Sequence, residues 1–141
     1  YAEVFGNLYG TPYSGIDAVL AAGKHAVLEI DWQGASQIRT RYPDCGTIFI
    51  LPPSRATLRA RLENRGQDDP DTILRRTSDA RSEMSHYGEF EFVVVNDNFE
   101  VALGSLQAIV EARGGEYRLH AQQAALEPLI HELLAGAPGP V

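Results

Sequence analysis

Three clusters of side chains have the types and spacing to act on a charged ligand. Glu29 and Asp31 stand two residues apart at the end of an apolar run, His25 to Asp31 (HAVLEID). On a strand that spacing places both carboxylates on one face, where their repulsion must be offset by a cation, a donor or a substrate. Arg61 and Arg65 are four residues apart and share one face of a helix. Arg75 and Arg76 follow on the far side of a polar break, Gly66 to Pro70 (GQDDP). Arginine presents a planar fork that matches phosphate two-pronged, which lysine does not. Two helices with arginines on either side of a loop can close over transferring phosphates, neutralising charge and excluding water. The third cluster is Gly6, Asn7, Tyr9, Gly10 and Thr11: glycines admit a ligand close to the backbone, and a phenol and a hydroxyl can donate to an anion or a purine edge. Each cluster also has a plainer reading. These are a pair of exposed strand-end acids, a solvated helix face laced with ion pairs, and a turn with a half-buried tyrosine.

The elements that must position these groups follow from hydrophobic period and breakers. Val4 to Thr11 reads as extended chain and turn, and Ile16 to Ala22 as a short helix ended by Gly23. His25 to Asp31 reads as a buried parallel strand leading into a site. Ala35 to Arg41 reads as a helix stopped before Pro43, and Thr47 to Leu51 as a second buried strand closed by Pro52 and Pro53. Ser54 caps a helix running to about Arg65. Asp71 to Tyr87 is a longer helix with Ile73, Ala80, Met84 and Tyr87 on one face. Phe92 to Val95 is a third strand. Phe99 to Arg113 is a helix with Phe99, Leu103, Leu106 and Val110 on one stripe, and Ala124 to Leu134 is a last helix. The tail, residues 135–141 (AGAPGPV), is expected to be disordered. Apolar strands alternating with helices predict an α/β layer with a parallel sheet, and such sheets place ligands at the carboxyl ends of their strands. Glu29, Asp31, Asn96 and Asp97 fall at those ends.

Composition narrows the classes. The 141 residues suit one domain, and 44% are hydrophobic, enough for an ordinary core. A formal charge of −7 argues against general attraction to nucleic acid or a membrane surface. No apolar run has the length of a membrane helix. Against that charge, Arg55 to Arg81 holds seven arginines and five carboxylates, a local excess of two positive charges. The chain has one lysine, Lys24, against eleven arginines. A single cysteine, Cys45, excludes an internal disulfide and fits a reducing, cytoplasmic setting. The four histidines have no metal-ligand spacing, so neither a protein-held metal nor a thiol enzyme is expected.

The segments GNLYGT, LEIDWQG, IFILPPS, RLENRGQDDPDTILRR, SEMSHY and VVVND, in that order from Tyr1 to about Arg113, resemble the guanylate kinase family. The resemblance implies a P-loop nucleoside monophosphate kinase fold, a parallel sheet flanked by helices, acting on ATP and GMP with Mg2+ accompanying ATP. It implies that residues 1–22 end a GMP-binding region and that residues 23–134 form the kinase core, with a mobile lid at about 66–71. Tyr9 would then contact the GMP phosphate and Thr11 the guanine, with Gly10 between them and Glu29 helping to hold GMP. Arg65 and Arg76 would contact the phosphates in transfer, Arg61 would lie on the ATP side, and Asn96 would approach the adenine edge. The oligomeric state is not legible in these residues.

The family's Gly-rich P-loop with its Lys and Ser or Thr is not found, since no G-x-x-x-x-G-K-[ST] occurs. The glutamate that reads guanine would lie just before Tyr1. The chain opens on Tyr1 in the middle of a motif, and is therefore expected to be the C-terminal two-thirds of such an enzyme, inactive alone. The missing P-loop strand is expected between residues 25–31 and 47–51. A non-catalytic guanylate-kinase-like scaffold that binds protein ligands is the alternative, and a related kinase of another small phosphate compound is a further one. The intact LEIDWQG, RGQDD and VVVND segments favour the enzyme over the scaffold.

Overall fold

In a computed structural model the backbone is described for residues 2–4, 7–9, 12–64 and 69–135, and side chains from residue 12 onward within those limits. The chain forms two compact units, Tyr1–Cys45 and Gly46–Val141.

In the first unit, β1 (Ala2–Val4) and β2 (Asn7–Tyr9) pair antiparallel, with Ala2 opposite Tyr9 and Val4 opposite Asn7. Helix α1 (Tyr13–Ala21) follows and buries Ile16. Gly23 ends it at φ +74°, a left-handed conformation that glycine adopts without a Cβ penalty. Helix α2 (Trp32–Arg41) starts where Asp31 accepts a hydrogen bond from the Gly34 amide at 2.9 Å. An exposed clasp joins the two helices. The Tyr42 hydroxyl donates to Asp17 Oδ1 at 2.6 Å, and the Arg41 guanidinium lies 5.7 Å from the Tyr13 ring and 5.4 Å from the Tyr42 ring.

The predicted strand at residues 25–31 is not formed: no ladder involves it among the described residues. A strand exists by its neighbour's hydrogen bonds, and an apolar run without one stays open. Val27 is 79% exposed, and Glu29 is exposed as well. The argument that a strand holds Glu29 and Asp31 on one buried face falls with it. Asp31 is a helix cap instead.

The second unit is built on a parallel pair, β3 (Ile48–Leu51) and β4 (Phe92–Val95), in register from Ile48 opposite Phe92 to Leu51 opposite Val95. Leu51 and Val93 are each 1% exposed, and full burial of side chains of this size contributes about 1.5–3 kcal/mol each. Thr47 ties the two strands at their start: its carbonyl accepts from the Phe92 amide at 2.9 Å and its hydroxyl from the Glu91 amide at 3.0 Å. Between the strands run α3 (Arg55–Asn64) and α4 (Pro70–Met84), which pack on each other. After a short 3-10 turn at Tyr87–Glu89 and β4 come α5 (Phe99–Val110), a second 3-10 turn at Gly115–Tyr117, and α6 (Leu119–Leu134).

Helix α5 departs from the predicted stripe. It buries Ala102 and Ser105, whereas Phe99, Leu103 and Val110 are exposed, Phe99 at 70%. Its sequence is apolar nearly all round, so period alone does not choose the face. Helix α6 begins five residues before the predicted Ala124 and buries Leu126, Ile130 and Leu133. No helix among the described residues is long and apolar enough to cross a membrane.

Candidate functional site

The parallel pair fixes one edge of the site in the second unit. Both strands end at the same side of the sheet, and the ladder runs one bond further, the Asn96 amide donating to the Leu51 carbonyl at 2.8 Å. Asn96 is thereby held, half-buried, at the carboxyl edge where open α/β sheets bind ligands. Pro52 and Pro53 stop β3 there. Ser54 starts α3 two residues on, its hydroxyl accepting from the Thr57 amide at 3.0 Å. Helix α3 therefore leaves the carboxyl edge directly and carries Arg61, which is exposed.

Helix α4 carries Arg76, also exposed, and packs against α3, so the two arginines ride on adjoining helices. The start of α4 is well determined. Asp69 is the N-cap, accepting from the Thr72 amide at 2.8 Å, and Pro70 occupies the first turn. Proline fits there because its missing N–H is one the helix would not use. The Thr72 amide, with its hydroxyl and Arg75 adding to the effect, holds the Asp69 carboxyl below the usual aspartate range. One arginine of the set has the plainer role: Arg59 pairs with Glu63 at 2.8 Å on the surface of α3. Arg65 and lid residues 66–68 lie outside the described residues, as do Gly10, Thr11 and residues 136–141 of the tail.

In the first unit, Tyr9 is the last residue of β2, with only its backbone described. Glu29 follows an open, mostly apolar groove of about 360 Å³ lined by Ile16, Val19, His25, Val27 and Leu28. Asp31 keeps Oδ2 outside its capping bond. Among the described residues no group of three His, Cys, Asp or Glu side chains gathers to hold a metal ion.

The capping roles of Asp31 and Asp69 were not read from the sequence, although both had signals. Asp69 precedes a proline, a common helix start, and Asp31 is a cap-forming residue directly before the apolar Trp32.

A sequence model of the guanylate kinase family matches residues 1–113. The guanylate kinase of Alkalilimnicola ehrlichii is 52% identical over 134 residues, covering 95% of this chain and 65% of that protein. That of Pseudomonas syringae pv. tomato is also 52% identical over 134 residues, covering 95% and 62%. That of Escherichia coli K12 is 47% identical over 135 residues, covering 96% and 64%. The chain thus spans slightly less than two-thirds of the length of these curated relatives. With four-fifths of its residues inside the family's match and about half of them identical to these enzymes, the chain belongs to the guanylate kinase family.

Proposed function

We propose that the full-length protein transfers the terminal phosphoryl group of ATP, bound as its magnesium complex, to GMP, giving ADP and GDP, and that this chain supplies the GMP-side end, the core and the lid. The observation that carries the reading is the junction in the second unit. There a parallel strand pair presents Asn96 at its carboxyl edge and runs on into the paired helices of Arg61 and Arg76.

The chemistry suits these groups. Phosphoryl transfer spreads charge over the equatorial oxygens of the moving group, and positioning plus charge neutralisation supply most of the catalysis. Arg76 and Arg65, on either side of the lid at about 66–71, would supply that neutralisation as the lid closes. Arg61 would hold the ATP side and Asn96 the adenine edge. In the first unit, residues 1–22 would end the GMP-binding region. There the Tyr9 hydroxyl would donate to the GMP phosphate, with Gly10 allowing close approach and Thr11 meeting the guanine. Glu29 would complete the GMP contacts, and magnesium would enter on the ATP phosphates, which need few carboxylates beside them.

The same reading has a P-loop strand pairing with β3. The outer edge of β4 is already occupied by the chain around Arg118 to Gln122. The only ladder partner of β3 among the described residues is β4. The exposed apolar stripe Phe99, Leu103 and Val110 on α5 is the kind of surface a further layer would cover. The chain alone would then be inactive, lacking the phosphate cradle. The single Cys45 suits a reducing, cytoplasmic location. The non-catalytic scaffold is the second reading. Asn96, held at the carboxyl edge of the strand pair, and Arg76, carried on the helix that packs on α3, favour the enzyme.

The test is a panel of acceptors. Full-length protein with MgATP should phosphorylate GMP at least tenfold faster than AMP, CMP or UMP, a discrimination of one tenfold step or more in kcat/KM. Preference for any other monophosphate would overturn the assignment of substrate.

A further inference from the structure

We propose that Gln122 is a positioning residue for the arginine-bearing helix α4, acting through α6. Only the role of Arg76 in this inference rests on the function proposed above; the mechanical part stands on geometry.

The Gln122 amide nitrogen lies 2.7 Å from the Val93 carbonyl and 2.8 Å from the Tyr117 carbonyl. A side-chain amide has two N–H donors, so both are committed to backbone. Val93 is 1% exposed in the middle of β4, while Tyr117 ends the turn that feeds α6. One side chain therefore pins the first turns of α6 to the sheet. Two neighbours share the task. The Leu119 amide donates to the Glu91 carbonyl at 2.9 Å. Arg118 bridges to Phe92, donates to Glu91 Oε1 at 2.6 Å and lies 5.2 Å from the Phe92 ring.

From that anchor α6 reaches α4. The two helices pack together, α6 burying Leu126, Ile130 and Leu133 and α4 burying Met84. Helix α4 also packs on α3, a helix that buries no residue of its own. Helix α6 is thus the one of its two helix supports that has buried residues, and the placement of α6 is set at the edge of β4, the strand that leads to Asn96. The route couples the strand end carrying Asn96 to the helix carrying Arg76. Gln122 and α6, the middle of that route, lie beyond residue 113, where the family match stops.

The experiment compares the full-length protein with Gln122→Met, which keeps side-chain length and removes both donors. Leu119→Pro is the second variant. Proline suits the first helical position, and Arg118 already has the extended backbone that precedes proline, φ −61° and ψ 137°. That change removes the backbone bond to Glu91 together with the half-buried leucine side chain. Amide hydrogen exchange should quicken about tenfold within residues 70–84, the loss expected for one hydrogen bond of ordinary strength, while β3 keeps its rate. In the same variants kcat for phosphoryl transfer should fall while KM for GMP stays within about twofold, the pattern of a group lost from the transition state alone. Unchanged exchange in α4, or equal acceleration of α4 and β3, would overturn the proposal. The exchange measurement decides it even if the full-length protein proves not to phosphorylate GMP, which would instead sink the function proposed above.

Discussion

Replacing Ala112 by glycine should stabilise the protein, and the structure allows the size to be worked out. Helix α5 closes in a Schellman arrangement: the Arg113 amide donates to the Ala108 carbonyl at 2.7 Å and the Ala112 amide to the Ile109 carbonyl at 3.1 Å. The position between these bonds requires the left-handed conformation, and Ala112 adopts it at φ 60°. An L-residue with a Cβ loses about 1–2 kcal/mol there. Glycine removes that strain but leaves the unfolded chain freer, which takes back about 0.4–1 kcal/mol. The strain term wins, leaving a gain of about 0.5–1 kcal/mol. With a urea slope of about 1–3 kcal/mol per molar, the midpoint should rise by a few tenths molar at unchanged slope. Urea unfolding followed by far-ultraviolet circular dichroism measures this directly. A midpoint that stays or falls at constant slope would refute the reasoning. Gly114 serves as the opposite control. Its own φ is −99°, so conformation is not the issue. A Cβ there would lie 2.6 Å from Ile109 Cγ1 and 2.7 Å from Ile109 Cα, and the second of these is backbone that must shift. Gly114→Ala should therefore lower the midpoint, by the equivalent of about 1–3 kcal/mol.

Three further outcomes follow from the site. In the full-length protein Arg76→Ala, and likewise Arg65→Ala, should lower kcat about 10²–10³-fold with a much smaller change in KM for GMP; near-normal kcat in both would remove them from the transition state. Tyr9→Phe should weaken GMP binding by about 1.5–3 kcal/mol, one hydrogen bond to a charged group, and leave ATP binding nearly unchanged in titration calorimetry; equal weakening of both nucleotides would point to misfolding. The Asp69 carboxyl is held below its ordinary range by the Thr72 amide, so its contribution to α4 is present above that range. It should be lost as pH falls through the ordinary aspartate value and then the lower folded one. Nuclear magnetic resonance of the Thr72 and Ile73 amides should show this acid transition in the native protein and not in Asp69→Asn, and an identical transition in both would exclude Asp69 as its source.

The helices were legible where start and stop residues were explicit. Ser54 opens α3, Gly23 closes α1, and Pro43 follows α2, while α4 begins at Pro70, one residue before the expected Asp71, and ends at Met84 rather than Tyr87. The strands Ile48–Leu51 and Phe92–Val95 were legible because they are short, fully apolar and bounded by breakers. What failed did so where the answer depends on a neighbour. Residues 25–31 have strand composition but form no ladder among the described residues. The burying face of α5 was missed because Phe99, Val101, Ala102, Leu103 and Leu106 offer apolar residues on several sides. The early start of α6 had no capping side chain to announce it, Arg118 making no side-chain cap bond. Of the site, the residue types and their order along the chain were legible, and the placement of Asn96 at the sheet edge agrees with the reading of a parallel strand. The contribution of Gln122 was hidden, because a glutamine in a helix gives no sign of which carbonyls it will meet.

The most direct test of the account is the stoichiometry of turnover by the full-length protein mixed with MgATP and GMP, followed by 31P resonance or by chromatography of the nucleotides. ADP and GDP should accumulate in equal amounts, the transfer should stop when magnesium is chelated, and the Arg76→Ala protein should still bind GMP while turning over about 10²–10³-fold more slowly. Protein that binds GMP but forms no GDP, or that releases phosphate from ATP without forming GDP, would contradict assignment as a kinase and leave the scaffold reading in its place.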